Sequence, residues 1–304
     1  MKALVLGGNG FIGSHIVDAL LAEGHKVSVF DRSKEHFRLP LTNVEYFLSE
    51  FTNIALLAEA LEGVDVVYHL ISTTVPSTSN LSPSDDIQSN LVGTVRLLDL
   101  MVQMKVPRIV FLSSGGTVYG IPETTPIPET HPLNPICSYG IVKIAIENYL
   151  YMYQQLYELD YVVIRASNPY GERQGHKGVQ GVIGTFLGKT KHNEEIQIWG
   201  DGSIVRDYIY IGDLAQFCIK VIHENISGVY NVGSGVGHSI SDIINTMENN
   251  IEQSFSITKM PSRNYDIPKI ILDISKAKNT FDWEPQMGFL QGIKKSWEWC
   301  ISID

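Results

Sequence analysis

A strand that runs into a glycine-spaced turn and then into a helix leaves few folds open. In LVLGGNGFIGSHIV, residues 4–17, an apolar run meets Gly7, Gly10 and Gly13 at a Gly-x-x-Gly-x-x-Gly spacing. One glycine permits the tight turn, one lets the backbone approach a pyrophosphate, and one lets the helix pack close to the sheet. The helix that follows begins at Phe11 and Ile12, where free N–H groups and a partial positive charge face bound phosphates. Asp31 closes the second strand 18 residues beyond Gly13. A carboxylate there accepts hydrogen bonds from an adenosine ribose and repels a 2′-phosphate, so NAD is favoured over NADP. Arg32 stands beside it and is counted with the cofactor residues.

The rest of the first half keeps the same rhythm. KALVLG, KVSVFD, VDVVYHL, PRIVFLSS and YVVIRAS are strand-like runs separated by helix-length amphipathic segments. This order predicts an α/β fold, a Rossmann-like doubly wound parallel sheet with helices on both faces. After about residue 167 the pattern loosens into glycine-rich, charged loops followed by two further helices, which predicts a smaller C-terminal lobe.

SYGIVK places Tyr139 and Lys143 four residues apart at the start of a helix, on one face. The lysine charge and the positive ring of a nicotinamide nearby are both expected to draw the phenol down from its ordinary pKa of about 10 toward the working pH. Just upstream, FLSSGGTVYG ends a buried strand with Ser113, Ser114, Gly115, Gly116 and Thr117. If strand geometry persists, Ser113, Gly115 and Thr117 share one face.

The formal charge of −10 argues against nucleic acid as the main partner. No window is apolar enough for a membrane helix, and the N-terminus opens on a strand with no leader pattern, so a cytoplasmic protein is expected. The three cysteines are far apart, with neither metal-ligand spacing nor a disulfide framework, so no metal is expected.

GGNGFIG, HLIS, SNLVGT, SSGGTVYG, YGIVK, SNPYGERQ, GDGSIVRDYIYIGDLA, NVGSG, RNYD and DWEP follow one another along nearly the whole chain. In order and spacing they resemble the extended short-chain dehydrogenase/reductases, the NAD-dependent epimerase/dehydratases, and within these the UDP-glucose 4-epimerase family. The resemblance implies a reversible oxidation at C4 of a UDP-hexose, with NAD retained through the cycle. It implies Tyr139 as acid/base and Lys143 as its partner. Glu50, Phe51, Leu70, Ile71, Ser72, Asn90 and Ser113 are implied at the cofactor. Asn168, Gln197, Trp199, Arg206, Arg263 and Asp266 are implied at the nucleotide sugar. Residues 1–167 would form the NAD-binding domain, with 204–228 returning to it. Residues 168–203 and 229–304 would form the sugar-nucleotide lobe. A homodimer joined through a helix bundle is implied as well.

Relatives with elimination or decarboxylation chemistry carry a carboxylate at the strand end, where this chain has Gly115, Gly116 and Thr117. Many epimerases of the family have a serine or threonine at the position of Gly115. Thr117, ahead of Ser114 and Ser113, is expected to supply the missing hydroxyl. Ile270 falls where the family gates N-acetyl groups, so UDP-N-acetylhexosamines are expected to fit. A nucleotide-sugar reductase, a UDP-glucuronate 4-epimerase and a non-catalytic NAD-binding protein remain open alternatives.

Overall fold

The computed structural model describes residues 1–175, 181–224, 226–262 and 267–303. Along the chain come β1 (Lys2–Leu6), α1 (Phe11–Ala22), β2 (Lys26–Asp31), β3 (Val44–Leu48), α2 (Ile54–Ala60) and β4 (Val66–His69). Next are α3 (Pro83–Asp86), a π-helical turn (Ile87–Val92), α4 (Gly93–Gln103), β5 (Arg108–Ser114), α5 (Ser138–Tyr157) and β6 (Asp160–Ala166). They are followed by β7 (Asn168–Tyr170), α6 (Val182–Lys191), β8 (Ile196–Trp199), β9 (Val205–Tyr210), α7 (Ile211–His223) and β10 (Gly228–Val232). The chain closes with β11 (Gly237–Ser239), α8 (Ile240–Asn250), β12 (Ile257–Met260), β13 (Lys269–Ile270), α9 (Ser275–Phe281) and α10 (Phe289–Ser302).

Two compact units divide these elements. The first comprises residues 1–120, 132–165 and 215–230. Its seven-stranded sheet has the order β10-β6-β5-β4-β1-β2-β3. The pairs from β3 across to β5 run parallel, with Leu4 facing Val67 on one side and Ser28 on the other. Ala3 to Leu6 and Ile109 to Phe111 are buried without alternation, as expected for strands covered on both faces. The strand order reverses between β1 and β4, and the crevice at the carboxyl ends of such strands is where ligands bind. Arg108 opens β5 as a buried cation. Its guanidinium donates to the carbonyls of Val221 (2.6 Å) and Ile226 (3.0 Å), tying the returning segment to the sheet.

Residues 86–105, amphipathic enough for one helix, do not form a single regular one. The π-helical turn separates α3 from α4, so that Asn90 turns its side chain onto Thr73 and Asp86.

The second unit comprises residues 121–131, 166–214 and 231–304. Residues 204–214 therefore pack here, because β9 pairs with β7, β11 and β13. Asp207 of β9 is fully buried and accepts from the Ser234 amide (2.8 Å) and hydroxyl (2.8 Å), the Gly235 amide (3.2 Å) and the Leu272 amide (3.3 Å). One carboxylate thus joins the VRDY, NVGSG and IILD segments. No helix among the described residues is long and apolar enough to cross a membrane.

Candidate active site

The glycine turn is tight for two physical reasons. Gly7 has a positive φ of +85°, a conformation that L side chains rarely adopt, and its amide donates to the Phe30 carbonyl (2.8 Å). A Cβ on Gly13 would stand 2.1 Å from the Gly7 carbonyl oxygen and 2.7 Å from the Gly8 Cα. Helix α1 therefore starts against the turn itself. Its N-cap, Gly10, carries no side chain to occupy the first N–H groups. Asp31 receives the Asn9 amide on one oxygen (3.1 Å) and the Ser33 amide on the other (2.9 Å). Nothing in the charge or spacing of the sequence singles out Asn9. Its amide nitrogen Nδ2 donates to the Ser33 carbonyl (2.7 Å), while its buried Oδ1 has no partner among the described residues. A buried acceptor left open beside an uncapped helix start and an acid at the second strand end fits a dinucleotide.

Of the other expected cofactor residues, Leu70 and Ile71 adjoin this turn. Ile71 lies 3.5 Å from the place a Cβ on Gly7 would take, and Leu70 adjoins it. Ser72 is exposed and donates to the Thr74 carbonyl (3.0 Å). Glu50 is exposed just past β3, and Phe51 is buried with its ring 5.4 Å from that of His69. Arg32 is exposed. A cavity of about 410 Å³ opens beside Phe51, lined by Thr73, Thr74, Gln88, Ser89 and Arg96 among others.

At the end of β5 the geometry departs from the strand expectation. The strand stops at Ser114, whose carbonyl accepts from the Thr117 amide (3.3 Å) and the Val118 amide (3.2 Å). Residues 115–118 form a turn, so the face shared by Ser113, Gly115 and Thr117 does not exist. Ser113 is buried and donates to Glu147 (2.5 Å), which forks onto Arg165 at 2.6 and 3.2 Å; Arg165 in turn donates to the Tyr119 hydroxyl (3.0 Å). Ser113 is thus committed to an internal ion pair. Ser114 is half-buried. The Thr117 hydroxyl is buried and has no partner among the described residues. At Gly116 a Cβ would meet nothing nearer than the Ser114 hydroxyl, 4.0 Å away, so its missing side chain leaves open space. The turn abuts the first turn of α5, the Thr117 carbonyl lying 3.0 Å from where a Cβ on Gly140 would sit.

Tyr139 occupies that first turn, half-buried. Lys143, one turn on, is buried; its Nζ donates to the Leu112 carbonyl (2.8 Å), 4.6 Å from the centre of the Phe111 ring and 5.4 Å from that of Tyr139. Burial draws the Lys143 ammonium down to about 8, against the opposing pull of Glu147 and Asp86. The protein's own groups, without the nicotinamide charge, move Tyr139 the other way. Burial first, then Cys137 and Asp86, push its phenol above the ordinary range. The chain's own groups therefore favour the protonated phenol, and positive charge or hydrogen-bond donors brought to its oxygen would lower it.

His69 is neutral beneath this pair. Burial, then the Lys143 charge, push its imidazole down to about 3. The Thr94 hydroxyl donates to the Asn90 carbonyl (2.6 Å), so at 2.8 Å it accepts from His69 Nε2. That leaves Nδ1 as the unprotonated nitrogen.

In the second unit Asn168 donates to the Asp207 carbonyl (2.9 Å). Arg206 donates to the carbonyls of Val205 (2.8 Å) and Ile267 (2.7 Å). Gln197 and Trp199 are both exposed on one face of β8. Trp199 also lines a cavity of about 610 Å³ with Ile204, Lys259, Met260, Ser262 and Pro268 among others. Arg263 and Asp266 lie outside the described residues.

Comparison with known proteins follows the same lines. Residues 3–233 match the family model described as the NAD dependent epimerase/dehydratase family. A putative UDP-glucose 4-epimerase of Methanocaldococcus jannaschii is 34% identical over 298 residues, 97% of each chain. The crystal structure of the Thermotoga maritima UDP-glucose 4-epimerase with UDP-glucose superposes with a TM-score of 0.94 at 32% identity, covering 99% of both chains. A dTDP-4-dehydro-6-deoxyglucose reductase of Escherichia coli is 33% identical over 302 residues, 96% of this chain and 95% of its own. With the glycine turn, Asp31 and the Tyr139–Lys143 pair all in place on a seven-stranded doubly wound sheet, this chain belongs to the NAD-dependent epimerase/dehydratase family of enzymes, and its cofactor is NAD.

Proposed function

We propose that the protein is a UDP-hexose 4-epimerase. The observation that carries this is the turn after β5: Gly115, Gly116 and Thr117 place no carboxylate beside Tyr139 and Lys143. Elimination and decarboxylation need such an acid or base; epimerisation at C4 needs one proton acceptor only. Gly7, Gly10, Phe11, Ile12 and Gly13 are assigned to the pyrophosphate and Asp31, with Arg32 beside it, to the adenosine ribose. Glu50 and Phe51 are assigned to the adenine, and Leu70, Ile71, Ser72 and Asn90 to the cofactor wall. NAD supplies a hydride acceptor that later returns the hydride to either face of the sugar carbon. Tyr139 takes the proton of the sugar 4-hydroxyl and gives it back. Lys143 holds positive charge against the developing phenolate. Thr117, with its hydroxyl unpartnered, donates to the reacting oxygen, with Ser114 next in line.

In the second unit Asn168, Arg206 and Arg263 are assigned to the diphosphate, since planar guanidinium forks match phosphate oxygens. Asp266 is assigned to the uridine ribose and Gln197 and Trp199 to the uracil. Ile270 is buried on β13 directly across from Arg206 on β9, and a branched aliphatic residue at that position leaves room for N-acetyl sugars. We assign the chain a homodimeric state, because α5 leaves Ile141, Met152 and Leu156 exposed along its length.

A panel of UDP-glucose, UDP-galactose, their N-acetylamino counterparts and UDP-glucuronate, incubated without added NAD and separated by chromatography, tests the reading. Interconversion of C4 epimers is the expected result. The similarity to a dTDP-sugar reductase favours a second reading, single-pass reduction. That reading predicts stoichiometric oxidation of NADH and no epimer formation.

A further inference from the structure

Asp86 ends α3 with no exposed surface. One carboxylate oxygen accepts from the Thr74 hydroxyl (2.7 Å) and from Asn90 Nδ2 (2.8 Å); the other accepts from the Ser138 hydroxyl (2.7 Å). These three donors are neutral. They come from the segment after β4, from the π-helical turn and from the residue immediately before Tyr139. The Ser138 amide is held in addition by Asn80 (2.8 Å). The other buried acid of this region, Glu147, is matched by the Arg165 guanidinium. A buried carboxylate met by neutral donors leaves its charge to act on the nearest cation.

We infer that Asp86 is a positioning residue for the epimerase reaction proposed above: through Ser138 it fixes the first turn of α5, and with it the Tyr139 hydroxyl, while its negative charge faces Lys143. The inference rests on that reading of the function. The titratable and charged groups facing Tyr139 are Asp86, Cys137 and Lys143. Those facing Lys143 are Glu147, Asp86, His69 and Tyr139. Asp86 holds the lysine charged and opposes ionisation of the tyrosine, so removing it moves both groups. Asp86 does not itself exchange protons with substrate, because it is closed off from solvent and all three of its hydrogen bonds point into the protein.

Two variants separate clamp from charge. Asp86→Asn removes the charge and keeps Oδ1 for Thr74 and Asn90, but puts Nδ2 in place of the oxygen that accepts from Ser138, so the Ser138 hydroxyl must accept instead; Ser138→Ala removes that hydrogen bond and keeps the charge, so an effect seen only in Asp86→Asn belongs to the charge. Both are compared with the parent as NAD-bound proteins, by NMR titration of Cζ-labelled tyrosine, with Tyr139→Phe assigning the signal, and by kcat and KM on the best UDP-sugar. Asp86→Asn is expected to lower the Tyr139 midpoint by about one unit and kcat by roughly tenfold, with KM little changed. Ser138→Ala is expected to lower kcat with the midpoint unmoved. An unchanged midpoint and kcat in Asp86→Asn overturns the inference. Should that variant not fold, an unchanged kcat in Ser138→Ala overturns it instead. If no UDP-sugar is epimerised by the parent, the functional reading fails, and the titration still reports whether Asp86 faces Tyr139.

Discussion

Thr117 keeps a buried hydroxyl that finds no partner among the described residues. A buried polar group in that state costs about 1–3 kcal/mol. Thr117→Val is nearly isosteric, so calorimetry should find the variant more stable by about 1 kcal/mol. If the hydroxyl meets the reacting oxygen, the turnover number falls on the order of 100-fold in the same protein. An unchanged turnover number would return the role to Ser114. Lys143 shows the same opposition between stability and use. Its ordinary pKa of 10.5 applies in the unfolded chain, and about 8 in the folded one. Below pH 8 both states are protonated and the full burial cost is present. Between about 8 and 10.5 the folded form is neutral first, so the cost fades as pH rises. Lys143→Met should therefore be inactive yet more stable at pH 7 by on the order of 1–3 kcal/mol, a gap that closes toward pH 10 in denaturant titrations. Tyr139, Lys143 and the glycines were legible because their spacing carries the chemistry. The direction of the Tyr139 shift was not, because it depends first on burial, and then on Cys137 and on Asp86, which lies 53 residues away in sequence and is brought near only by folding.

Element boundaries were the less legible part of the site. A run such as RIVFLSSGG reads as a strand for as long as its residues allow one, and the two glycines allow either continuation. The hydrogen bonds from Thr117 and Val118 to Ser114 decide for a turn, and with it which hydroxyls can face a ligand. Periodicity also misses the π-helical turn, since an amphipathic pattern over residues 86–105 is compatible with a regular helix. The glycine turn, by contrast, was readable because sterics there admit one residue type. In Gly13→Ala the added carbon would collide with backbone at 2.1 and 2.7 Å, and backbone cannot rotate away as a side chain can. The variant should lose at least about 2 kcal/mol of stability and bind NAD more than tenfold less tightly, as measured by equilibrium dialysis.

At the scale of the molecule, the alternation of apolar runs and helices gave the sheet class, because doubly covered strands must be continuously apolar. The sequence carried no sign that VRDY and NVGSG are one structural unit; a single buried carboxylate joins them, and polar hubs of this kind leave no periodic trace. The exposed Met152 and Leu156 of α5 belong to this scale too. Met152→Lys combined with Leu156→Glu should turn a dimer into a monomer in sedimentation velocity, with helix content retained. Neither unit is a continuous stretch of polypeptide. The first is complete only when residues 215–230 have joined residues 1–120 and 132–165. A ribosome making this chain must therefore deliver about three quarters of it before the first sheet gains β10 and before Arg108 finds the carbonyls of Val221 and Ile226. A fragment of residues 1–165 exposes one sheet edge and leaves a buried cation without acceptors, so it should be recovered as aggregate or protease-sensitive chain. The gene cannot be divided at a lobe boundary into two self-sufficient products, and nascent-chain protection should appear late and in one step.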